Sequence, residues 1–171
     1  MKVTLMIEGK NKISIELGYD DLSVTVSNLP DTTENIDTYA VLAEHPSVAV
    51  RESVAGKDKL DEATVNLLAG DSDVCVIRAL VRSDKARECL TTEQLVGMIN
   101  RDVEVAENIA NYVESYEGAS SDDIAEALAK HADPRVRAAL ASNTSAPKKF
   151  LKSLLKDHDA RVRASARQSL D

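Results

Sequence analysis

A short phrase recurs five times along this chain: a polar or acidic residue, Val three positions on, and an apolar residue or Ala seven positions on. The copies are Ser47-Val50-Val54, Asp73-Val76-Leu80, Asp102-Val105-Ile109, Asp133-Val136-Leu140 and Asp159-Val162-Ala166. By subtraction, their starts lie 26, 29, 31 and 26 residues apart. A unit recurring at such a period buries its apolar face against its neighbours, which is how a stacked helical solenoid looks in sequence. Such a chain presents a surface. The phrase therefore predicts how the molecule is built and leaves its partner unnamed.

Helix signals on either side of each copy support a two-helix unit. A first helix draws its apolar stripe from Val41-Leu42, Val65-Leu68, Leu95-Ile99, Ile124-Leu128 and Phe150-Leu155. Its start is marked by Asp61-Glu62, Thr91-Thr92-Glu93, Ser120-Ser121-Asp122 and Ser145-Ala146-Pro147, residues that suit caps and first turns. The second helix begins at the polar residue of each copy, most clearly at Asp133-Pro134. The longer intervals are assigned to an insertion, Ser83 to Cys89, and to a third second-helix extended through Tyr116.

The opening reads differently. Val3, Leu5 and Ile7, then Ile13, Ile15 and Leu17, then Leu22, Val24 and Val26 alternate with more polar residues, and Gly9-Lys10-Asn11 and Gly18 to Asp21 separate the runs. Period two with turns between predicts a three-stranded antiparallel meander. Its apolar face needs cover, so it is expected to dock on the first helices as an end cap. After Pro30, Asp31 and Glu34 have capping-box spacing. The expected fold is mainly α: a right-handed α-solenoid of about five two-helix repeats (31–171) behind a small β cap (1–30). With no Trp and one Phe, its core is thin and aliphatic.

Asp133-Pro134-Arg135-Val136-Arg137-Ala138-Ala139-Leu140-Ala141-Ser142-Asn143, echoed at Asp159-Ala160-Arg161-Val162-Arg163-Ala164, resembles the bacterial leucine-rich repeat variant family, a relative of HEAT-like α-solenoids. The resemblance spans about residues 38–170 and is weakest in the middle two copies. It implies a fold and a binding role, and no reaction. The family's iron–sulfur domain is not implied, because such a cluster takes four Cys thiolates and the chain has two Cys.

Candidate chemistry is sparse. Asp133 and Arg137, Asp159 and Arg163, and Ser47 and Arg51 stand four apart, where one helix turn lets them pair. In HEAT-like arrays similar residues form a ladder between repeats. His45, His131 and His158 all precede a copy and read as exposed corner residues. Adjacent repeats hold equivalent residues ~10 Å apart, too far for zinc ligands at ~2 Å. No metal or other cofactor is expected. Cys75 and Cys89 read as free thiols in a reducing cytoplasm, Cys75 at an exposed and variable position. There is no glycine-rich phosphate loop, G-x-S-x-G or H-E-x-x-H, so no catalytic residue is assigned.

Charge is arranged in blocks. Residues 1–87 are net −5, residues 88–126 net −9 and residues 130–171 net +6, which sum to −8. Fields of opposite sign along a solenoid can steer a partner. The expected function is a non-enzymatic interaction module (adaptor, assembly factor or inhibitor-type protein) binding a partner protein, one with an acidic patch, along the second-helix face. Candidate binding residues there are Glu52, Arg78, Glu104, Glu107, Arg135 and Arg161. The alternative is nucleic-acid binding through the basic end, against which stand the net charge and the scarcity of aromatics. No run of ~18–20 apolar residues suggests a membrane helix, and the N-terminal apolar stretch is short for a signal peptide.

Overall fold

The computed structural model describes residues 2–8 and 12–171. Among them are one two-stranded sheet and twelve α-helices. They fall into two compact units, Met1–Leu80 and Val81–Asp171. Residue 30, the expected end of the β cap, lies inside the first unit.

In the first unit β1 (Thr4–Glu8) pairs antiparallel with β2 (Lys12–Glu16), Leu5 opposite Ile15. The expected turn at Gly9-Lys10-Asn11 lies outside the described residues. The expected third strand is a helix, α1 (Tyr19–Asn28). Leu22 and Val26 stand four apart, so one helical face buries both, while Val24 is 61% exposed. The hydroxyls of Ser23, Thr25 and Ser27 donate to the carbonyls of Asp20, Asp21 and Ser23, so these polar side chains fold back onto their own helix. Leu5 and Ile15 are 43% and 45% exposed. Val3 shares a shallow depression with Val41 and Leu42.

The chain continues through a 3-10 turn (Thr33–Asn35) into α2 (Ile36–Leu42), α3 (Val48–Ala55), α4 (Glu62–Ala69) and α5 (Val74–Leu80). Asp31 and Glu34 form no capping box. The Asp31 carboxylate instead accepts from the amides of Asp58 and Lys59, at 2.7 and 2.9 Å. α1 packs on α3 and α3 on α5, while α2 packs on α4.

In the second unit, α6 (Asp84–Cys89) fills the expected insertion, followed by α7 (Thr92–Ile99), α8 (Val103–Asn111), α9 (Ser121–Ala129), α10 (Pro134–Ser142), α11 (Lys148–Leu154) and α12 (Ala160–Gln168). α8 stops at Asn111, short of the expected Tyr116, and turns carry the chain on while Val113 and Tyr116 remain buried. α7, α9 and α11 form one row, and α8, α10 and α12 another. Thr91 closes a capping box with Gln94, and Asp61 and Ser120 cap α4 and α9. At α11 the cap is Pro147, with no side-chain bond. This two-row packing is compatible with a helical repeat.

The five phrases account for the core of the second helices. Val50, Val76, Val105, Val136 and Val162 are all 0% exposed, as are Val54, Leu80, Ile109, Leu140 and Ala166.

Candidate interaction surface

Four of the five second helices start at an aspartate that bonds their first turn, whereas Ser47 at α3 makes no side-chain cap bond. Asp102, Asp133 and Asp159 accept from backbone amides two or three residues on, as N-caps do. The Asp73 carboxylate takes the Cys75 amide in the same way, at 2.9 Å. With Val three positions on turned inward, the third, sixth and tenth positions of all five copies are exposed or half-buried. The candidate residues occupy that face.

The structure separates them into two groups. In the first unit, Glu52 is exposed and Arg78 half-buried, and both lie close enough to act on the Cys75 thiol. Burial and the neighbouring Asp73 push that thiol up, which opposes nucleophilic chemistry. Cys75 is half-buried, less open than its position suggested. Glu52 also lines a shallow depression with Ser27, Ser53, Gly56, Lys57 and Ala79.

In the second unit, Glu104 bonds Arg82, and Glu107 faces Arg135 closely enough to favour its charged form. Arg135 and Arg161 are exposed, but each reaches back to the aspartate that caps its own helix. Arg135 Nη2 lies 2.8 Å from Asp133 Oδ2, and Arg161 Nη2 lies 3.5 Å from Asp159 Oδ2. The Arg135 guanidinium and then its amide hold the Asp133 carboxyl down at about 2. Both arginines are thus surface groups with a local counter-charge.

Arg137 pairs not with Asp133 of its own helix but with Asp157, at the corner before the next second helix. Arg137 grips Asp157 with two bonds, Nε at 2.8 Å and Nη2 at 2.9 Å. Its Nη1 donates to the carbonyls of His131 and Ala132. In the first unit Arg51 does the same with Asp71, at 2.6 and 3.1 Å, and with the carbonyls of His45 and Pro46. The carboxylates of Asp71 and Asp157 are only 7% exposed. The Arg137 bond holds the Asp157 carboxyl below the usual range. A signal for this was in the sequence: both pairs stand 20 residues apart, and where a copy has Ile77 or Ala106 in place of the Arg, the next corner has Asn100 or His131 in place of the Asp.

Two further contacts between helices escaped the sequence reading. Lys57, only 8% exposed, donates to the carbonyls of Ser27 and Leu29, each at 2.9 Å. Asn143 donates to those of Ala110 and Asn111, at 2.9 and 3.1 Å. Each lies ten residues beyond its N-cap (47 to 57, 133 to 143) and satisfies the end of the helix packed before it, α1 or α8.

Two of the three histidines are structural in position. His45 is 1% exposed, contrary to the exposed corner expected, because its Nδ1 accepts the Ser47 amide at 3.1 Å and the Tyr19 ring packs edge-on against it. His131 Nδ1 takes the Asp133 amide likewise, and His158 is exposed. Among the described residues no group of three or more His, Cys, Asp or Glu is placed to hold a metal. No helix among them is long and apolar enough to cross a membrane.

No family model matches the chain, and neither a curated protein nor a solved structure matches it.

Proposed function

We propose that the protein is a non-enzymatic α-solenoid, of the kind its resemblance to leucine-rich repeat variants implies, which holds a partner protein along its second-helix face. The observation that carries this reading is the contrast between neighbouring positions. The Val of every copy is fully buried, whereas the preceding residue changes from Ala49 to Cys75, Glu104, Arg135 and Arg161 at the surface. A constant core under a varied face is how an array keeps its shape while fitting one partner. The acid pairing of Arg135 and Arg161 supports a protein partner over nucleic acid, since both cations already have a counter-charge beside them.

The test compares proteins retained from native lysate by the unaltered chain and by two face variants, Glu52→Lys with Arg78→Glu, and Glu104→Lys with Glu107→Lys. A control variant changes the opposite row, Lys130→Glu with Lys152→Glu. The reading expects a protein retained by the unaltered chain and the control but lost by a face variant. Loss from the control alone, or retention by all, contradicts it. Retention of nucleic acid with a steep salt dependence would favour the phosphate-binding alternative.

A further inference from the structure

Helix α6 sets an amine and a thiol side by side. Lys85 and Cys89 stand four residues apart on it, so one turn brings both onto the same face. Lys85 Nζ donates to Glu88 Oε2 at 2.8 Å and also hydrogen-bonds the Cys89 sulfur. The helix that carries them is fixed at both ends. The Ser83 hydroxyl accepts the Ala86 amide at 3.1 Å, the Leu90 amide donates to the Ala86 carbonyl at 2.9 Å, and Ala86 and Leu90 are buried. Lys85 and Cys89 are themselves half-buried, so a small reagent reaches them from solvent while the pair keeps its register. The other cysteine is placed differently. Cys75, in the first unit, has Asp73, Glu52 and Arg78 as the charged groups acting on it, with no lysine among them.

We propose that Cys89 and Lys85 form a self-acylation site, at which a short-chain acyl thioester modifies the thiol and the acyl group then moves to the amine. This modification does not rest on the interaction surface above. In the first step the Cys89 thiolate attacks the thioester carbonyl carbon. A bond forms between that carbon and Sγ, the bond to the carrier sulfur breaks, and the carrier leaves as a thiolate that takes up the proton Cys89 gave. In the second step the neutral Lys85 amine attacks the same carbon. A C–N bond forms, the C–Sγ bond breaks, and a proton from nitrogen restores the Cys89 thiol. Nothing is oxidised or reduced: thioester and amine become amide and thiol. Glu88 foremost, and Cys89 with it, hold Lys85 in its charged form, so the amine reacts through a small neutral fraction. Acylation of Cys89 releases the second of these holds. Proximity offsets the first, because attack between groups already in contact is intramolecular. The product amide carries no charge, so α6 loses the Lys85–Glu88 ion pair.

The test incubates the full chain with acetyl-coenzyme A at mildly alkaline pH and follows the acetylation of each lysine by peptide mass spectrometry. Lys85 should be modified about tenfold faster than the exposed Lys148 and Lys152. Cys89→Ser should bring Lys85 down to their rate, and Cys75→Ser should leave it unchanged. A Lys85 rate no higher than that of Lys152, or one indifferent to Cys89→Ser, overturns the proposal. A second arm leaves Cys89 in place. In the Cys75→Ser protein the remaining thiol is capped as its methyl disulfide, and Lys85 acetylation should slow to the rate of Lys152 and recover on reduction. Capped protein that acetylates Lys85 as fast as uncapped protein overturns the proposal equally. Lys85→Arg reads the transfer step by itself. With no amine to receive it, the acetyl group should stay on Cys89 as a thioester labile to hydroxylamine, whereas the unaltered protein accumulates the stable amide. If Lys85→Arg holds no more thioester than the unaltered protein, the transfer from sulfur to nitrogen is refuted.

Discussion

Arg135 and Arg137 stand two residues apart on α10 and hold charges of different consequence. Arg137 is paired to a carboxylate that is 7% exposed, so Arg137→Ala strands a buried charge, and about 3 kcal/mol should be lost. Arg135→Ala removes a surface pair and should leave stability nearly unchanged. Chemical denaturation of both variants decides the matter, and comparable losses would mean that the Arg137–Asp157 pair is not structural. His45 supplies a pH dependence of definite sign. Burial of the ring, then the nearby Arg51 guanidinium, hold its imidazole below the ordinary 6.5. The native state therefore keeps it neutral while the unfolded chain protonates at about 6.5. Its contribution is fully present above that pH and is lost as pH falls below it toward the lower folded value. His45→Asn retains an acceptor for the Ser47 amide, the role Nδ1 plays now. The melting temperature of the unaltered protein should fall more steeply between about pH 7.5 and 5.5 than that of His45→Asn, and parallel curves would remove His45 from the account.

At the scale of elements, the second helices are tied end to end by side chains as well as by packing. Lys57→Met leaves the last carbonyls of α1 without their charged donor, and the loss should be about 1.5–3 kcal/mol, readable in a thermal melt. A variant as stable as the original would show that water serves those carbonyls equally well. The same element shows where the sequence misled. Leu22, Val24 and Val26 satisfy a strand's period of two, yet Leu22 and Val26 also satisfy a helix's spacing of four, and three apolar residues cannot separate the two. Ser23 and Thr25, alternating with them, favour a strand in the sequence, because their folding back onto carbonyls is invisible until the backbone is known. The longer helices were legible because caps such as Thr91 with Gln94, or Asp133 before Pro134, mark their starts independently of periodicity. The outward positions of the second helices were legible too, as a consequence of the buried Val positions. Its pairings were not, since Asp71 and Asp157 sit outside the phrase that drew attention to Arg51 and Arg137.

Across the whole molecule, a single register of burial runs through both compact units, and it can be tested copy by copy. In each second helix the third residue of the phrase and the fourth are chain neighbours with opposite surroundings. Ala49, Glu104, Arg135 and Arg161 are exposed, and Val50, Val105, Val136 and Val162 are 0% exposed. Aspartate at a Val position would bury an unpaired carboxylate, which costs several kcal/mol where total stability is ~5–15. Aspartate one residue earlier stays in water near a helix N-terminus, where the macrodipole favours an acid. Cys75 and Val76 form the remaining pair, and Cys75, half-buried beside Asp73, should tolerate the charge least among the third positions. Circular dichroism and denaturation of the five pairs should give one alternating result: folded at the third position, unfolded or strongly destabilised at the fourth. If one copy tolerated Asp at Val and not at its neighbour, its helix would be rotated relative to the rest. The outward residues of that helix, Glu107 with Glu104 or Arg78 with Cys75, would then face the core.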